Sequence, residues 1–151
     1  MSRQTIASIL LFGLAIALTQ VMGALLEASR TTHPTNADAA KASGTDFSKI
    51  KKAQGGKTIA EIYAGKAKLN GQQTSVRGKV VKYNEMIMGK NWVHIQDGTG
   101  AVGSNDLLVT TATQVKVGDT VLVTGKVATD KDFGSNYKYA IMIEDAKIVI
   151  E

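Results

Sequence analysis

The sequence predicts an all-β domain in which five strands close into a small barrel behind one short helix, preceded by a signal peptide and a flexible linker. Three observations carry this expectation. After residue 70 the apolar residues alternate in five separate runs instead of recurring at helical spacing. Turn residues punctuate those runs at Asp97–Gly98–Thr99–Gly100, Val117–Gly118–Asp119 and Phe133–Gly134–Ser135–Asn136. Two more glycines, Gly78 and Gly125, fall inside strands, where they permit the sharp coiling of a small barrel.

The N-terminal segment is not part of that fold. Residues 1–28 read as an export signal: Arg3 gives a charged start, residues 6–18 are apolar apart from Ser8 and small residues, and Gly23, Ala24 and Ala28 offer a small-residue exit. Cleavage after Ala24 or Ala28 would leave a periplasmic or secreted protein. If the apolar stretch continues from Val21 to Leu26, it approaches the ~20 residues of a retained N-terminal membrane anchor. The membrane is then a partner only through that uncleaved segment. The chain has no Cys, so the exported part must hold together by burial alone. Residues 29–56 are rich in Ala, Thr, Ser, Gly and Lys, contain the only proline, Pro34, and show no apolar period. They read as a flexible linker, with Phe47 and Ile50 able to dock, and the barrel domain is expected over residues 57–151.

The domain opens with a helix. Ile59, Ile62, Tyr63, Ala67 and Leu69 recur at near-helical spacing, Thr58 and Glu61 match a capping box, and Asn70–Gly71 ends the run after about three turns, with Gly65 a weak point. The first strand, QTSVRGKVVKYNE, places Val76, Gly78 and Val80 on one face and Arg77, Lys79, Val81 and Tyr83 on the other. The second, NWVHIQD, sets Val93 and Ile95 against Trp92, His94 and Gln96. LLVTT is a short third strand, DTVLVTGKVATD the fourth, and YKYAIMIEDAKIVIE the fifth. Five strands in about 95 residues suit the OB-fold barrel; an immunoglobulin-like sandwich would want about seven.

Composition narrows the function. The net charge of +5 is spread unevenly, with a surplus of three in residues 29–56 and of two in residues 57–151. Most of the basicity is therefore in the linker, which weakens it as a nucleic-acid footprint. No catalytic residues are expected. There is no Cys, His33 lies in the linker, and Asp97 falls on the opposite strand face from His94, so no nucleophile–His–acid site is legible. A phosphate loop of the G-x-x-x-x-G-K-[ST] type is missing, and no cofactor is expected. His94 with Met86, Met88 and Met142 could form a soft copper(I) site, although Met86 and Met88 read more simply as loop hydrophobes, and no metal site is assigned.

Three motifs carry a family resemblance: V-x-G-x-V at Val76–Val80, W-x-x-x-Q-D-G-T-G from Trp92 to Gly100, and G-D-x-V-x-V-x-G-x-V from Gly118 to Val127, all behind the leading helix. Together they resemble the OB-fold domains that bind tRNA anticodons and single-stranded nucleic acids. An exported OB domain on an Ala/Lys linker is also similar to small periplasmic proteins labelled DNA-binding or grouped with nitrite-reductase accessory proteins. The resemblance implies nucleic-acid binding or assembly of respiratory cytochrome enzymes.

Strand alternation locates a binding face. With Val76, Val80, Val93 and Ile95 inside, Arg77, Lys79, Tyr83, Trp92, His94 and Gln96 face outward. The loops flanking this face, residues 84–91 and 129–137, add Lys90, Lys131, Phe133 and Tyr137. Aromatic and basic groups thus converge where this barrel takes ligands. The expected function is a binding module rather than an enzyme, gripping single-stranded nucleic acid or another extended anionic ligand, or else a periplasmic protein partner.

Overall fold

A computed structural model describes residues 44–151; the expected signal peptide, residues 29–43 of the expected linker, and His33 lie outside the described residues. The helix begins at the capping box the sequence announces. Thr58 Oγ1 accepts from Glu61 N at 3.2 Å and Glu61 Oε2 accepts from Thr58 N at 2.8 Å. Three turns are not sustained, however. Gly65 splits the segment into α1 (Ile59–Ala64) and α2 (Lys66–Leu69). Ile59 and Ile62, both fully buried, plug the barrel.

The five strands are β1 (Gln73–Ile87), β2 (Lys90–Gln96), β3 (Leu107–Thr111), β4 (Thr120–Asp132) and β5 (Lys138–Ile150). They close in the order β1-β2-β3-β5-β4, with β4 returning to β1 and only β3–β5 parallel. That order is an OB-fold barrel, as the sequence predicts. Val76, Val80, Val93, Ile95, Leu107, Val109, Val121, Val123 and Ile143 fill it and are at most 1 % exposed. Gly125 is required by packing. A Cβ there would stand 2.6 Å from Ile143 Cγ2 and 3.0 Å from Ala146 Cα, where β5 bulges through Asp145 (φ 48°).

The glycine turn after β2 joins the barrel to the helix. Asp97 Oδ2 accepts from Ile59 N at 2.9 Å, and Thr99 Oγ1 accepts from Ala60 N at 3.1 Å while donating to Asp97 Oδ1 at 2.6 Å. The Q-D-G-T-G motif therefore supplies partners for the open N–H groups of α1, an architectural task.

The described part of the linker lies against the barrel. Phe47 Cβ sits 2.8 Å from where a side chain on Gly98 would begin, Ala53 is 4 % exposed, and Lys57 N donates to Ser75 O at 2.8 Å. Arg77 Nη1 donates to Lys51 O at 2.9 Å. Ordered contacts thus begin upstream of Lys57, where composition alone places the domain boundary.

Candidate nucleic-acid or protein interface

Alternation places Trp92 and His94 outside the barrel, as expected, but both are covered. Trp92 (7 % exposed) joins Leu108, Ala128 and Met142 in a second apolar cluster on the outer face of β2, β3, β5 and β4. Phe133 meets its ring edge-on at 5.2 Å and Tyr139 lies at 5.8 Å. Its indole Nε1 donates to Ile87 O at 2.8 Å, so both the apolar body and the polar tip are satisfied internally. The expected stacking platform is a closed aromatic cluster. Tyr139, which sequence reading left out, completes it.

His94 is 8 % exposed, and its Nδ1 lies 2.6 Å from Asp106 Oδ1. The carboxylate accepts from an Nδ1–H, which fixes the ring's tautomer. Sequence reading considered Asp97 and missed Asp106, whose link to His94 exists only because Ile95 pairs with Leu107, one residue beyond Asp106. Tyr63 Oη donates to Asp106 O at 2.7 Å; burial first, and the Asp106 charge second, push the Tyr63 phenol up to about 12. The copper(I) set is not assembled. Met142 is wholly buried, His94 Nδ1 is engaged, and β2 separates His94 from the Met88 tip by ~13 Å or more at 3.3 Å per residue.

The predicted cations are mostly committed. Arg77 clamps Glu151 through Nε (2.5 Å) and Nη2 (2.8 Å), which raises the guanidinium's pKa further and holds the Glu151 carboxyl below its usual range. Lys79 Nζ reaches Asp46 O at 3.4 Å. Both therefore serve the upstream segment and the C-terminus instead of the β2–β3 face. Lys90 pairs with Asp145, and Lys131 with Glu144 at 2.9 Å while lying 5.9 Å from the Phe133 ring centroid. Gln96 is buried at 4 % beside Lys79 in the ladder, and Tyr137 stays 39 % exposed at the β4–β5 turn.

Tyr83 requires a correction. The sequence assigns it to the outer face by unbroken alternation, but β1 carries an extra residue: Val80 pairs with Ile95, and Lys82 pairs next with His94. This bulge at Val81 reverses the parity, so Lys82 faces out and Tyr83 packs on the barrel core opposite Val93.

What remains exposed at the face is the β1–β2 tip. Met86, Ile87 and Met88 are 64 %, 47 % and 72 % exposed, the largest run of accessible apolar side chains among the described residues. Met86 (φ 53°), Met88 (φ 54°) and Gly89 (φ 77°) all take positive φ. The tip is held by Asn91 Oδ1 accepting from Met86 N at 3.1 Å and by the Trp92 bond to Ile87 O.

No protein-family model matches the chain. No curated protein matches it either. Among solved structures it is similar to OBody AM2EP06 bound to hen egg-white lysozyme, at 20% identity over 66% of this chain and 93% of that one, with a TM-score of 0.46. It is likewise similar to OBody AM3L09 bound to the same lysozyme, at 19% identity over 66% and 94%, with a TM-score of 0.47.

Proposed function

We propose that this barrel is an exported binding module that engages a protein partner through the β1–β2 tip and the adjoining β4–β5 turn. The observation that carries the reading is Met88. A two-residue turn with positive φ at both positions normally takes Asn-Gly or Asp-Gly. Here an apolar residue stands first in that turn, strained by about 1 kcal/mol and mostly exposed, directly after two further exposed hydrophobes, Met86 and Ile87. Neither folding nor solubility favours that choice, whereas a partner with an apolar surface does.

Single-stranded nucleic acid is the second reading. In its favour, Lys131 lies by Phe133, with the exposed Tyr137 ring four residues further along the same turn. Against it, Trp92 is closed off, and Lys90 and Lys131 have acidic partners.

A photo-crosslinking side chain at Ile87, compared with one at the still more accessible Val102, tests the first reading in the native host. A discrete protein adduct from position 87 alone is expected. No preference over Val102, together with salt-sensitive binding of a single-stranded oligonucleotide, would restore the second. Met88→Asn should separate function from folding: the turn gains ~0.5–1 kcal/mol of stability while the adduct is lost.

A further inference from the structure

Methionine is an odd choice for the β1–β2 tip, and its chemistry supplies a reason. Met86 and Met88 take positive φ, whereas Ile87 between them does not. A β-branched residue is an outlier in that conformation, so both positions favour an unbranched side chain. Inside a protein, methionine serves by filling irregular gaps or by setting its sulfur against an aromatic ring. Met142 does so, fully buried in the cluster around Trp92. Met86 and Met88 are exposed and belong to neither apolar cluster, so their thioethers fill no gap. What distinguishes a thioether from an equally apolar alkyl chain at such a place is its reactivity. Two-electron oxidants convert it to a sulfoxide, which a reductase reverses.

The tip is built so that this reaction would stay local. Its backbone is held by Met86 N donating to Asn91 Oδ1 at 3.1 Å and by Trp92 Nε1 donating to Ile87 O at 2.8 Å. Neither bond uses a sulfur atom. Oxidation of both side chains therefore leaves the anchorage of the tip intact, while polar groups replace apolar ones on either side of Ile87. A partner that covers Ile87 with an apolar surface would then have to desolvate two sulfoxide oxygens with no hydrogen bonds to offset the loss.

We propose that Met86 and Met88 form a paired modification site for hydrogen peroxide, and that their conversion to sulfoxides releases the protein bound at the tip. The second half rests on the partner reading above; the first does not. In each reaction the peroxide O–O bond breaks, an S–O bond forms, sulfur loses two electrons, and the peroxide is reduced to water. Reversal needs a dithiol, which gives up two electrons, becomes a disulfide and removes the oxygen as water.

The test treats the purified full chain with hydrogen peroxide, removes the excess, and follows each methionine by peptide mass spectrometry. Met86 and Met88 should oxidise about tenfold or more faster than Met142, with Trp92 emission unchanged. The same protein carrying the photo-crosslinking side chain at Ile87 is then irradiated in an extract of the host. Adduct yield should fall by about tenfold or more once both tip sulfurs are oxidised. Reductases specific for the two sulfoxide epimers, supplied with a dithiol, should restore it. Oxidation of Met142 in step with the tip, a Trp92 shift accompanying tip oxidation, an undiminished adduct, or an adduct that the reductases do not restore would overturn the proposal. An adduct missing before any peroxide is added would overturn the partner reading instead, and the oxidation rates, which need no partner, would still decide the modification site.

Discussion

Arg77 shows how a side chain with binding chemistry can be spent on architecture. Its five donors suit a bidentate carboxylate and a carbonyl together, which lysine cannot match. Because the Glu151 carboxyl is held below its ordinary value of 4.5, the clamp is complete above that pH and is lost as pH falls through the lowered value. Glu151→Gln should therefore flatten the acid limb of the stability–pH curve, measured by circular dichroism melts from pH 6 downward. Tyr63 predicts the alkaline limb. A phenol raised to about 12 destabilises the fold only as pH climbs above 10, where the unfolded chain ionises first. Tyr63→Phe should remove the last phase of the absorbance titration at 295 nm. Trp92 should emit at short wavelength and resist acrylamide. Trp92→Ala should cost ~3–5 kcal/mol in denaturant unfolding, because the outer cluster loses its largest member.

Among the elements, β1 carries the main lesson. Its alternation is legible in QTSVRGKV and fails just afterwards, because Val80–Val81 offers two interchangeable β-branched residues and only the ladder shows which is extra. Outward and inward assignments therefore invert from that point to the second register shift after Asn84, which is why alternation misplaces Tyr83 but not Arg77 and Lys79. Burial could not be read in the same way. Periodicity assigns Trp92 a face, but its cover comes from Phe133 and Tyr139, some forty residues on. The capping box, the strand count and the glycine-bearing β4 were all legible, since each rests on local chemistry. On β4, Gly125→Ala should destabilise by ~1–3 kcal/mol by overpacking against β5, whereas Gly89→Ala is strained only by its φ of 77° with open space around it. Comparing the two in urea separates a packing glycine from a turn glycine.

The described residues, 44–151, form a closed sheet whose sequence-distant strands must meet before it gains stability, so refolding should take milliseconds to seconds in stopped-flow fluorescence. Its stability is not confined to the barrel. A chain shortened to begin at Lys57 forfeits Ala53, Phe47 and the Lys51 carbonyl on Arg77, and should melt several degrees below one beginning at Gly44. The Arg77 guanidinium bonds residue 51 on one side and residue 151 on the other. Approach and departure of the chain are therefore within one side chain's reach of each other. Such a domain can be spliced as a cassette into a surface loop of a carrier protein, or circularly permuted by a short bridge from 151 to 44 with new ends opened elsewhere. In either arrangement the Met86–Met88 tip would keep its geometry, because it lies at the opposite end of β1 from Arg77.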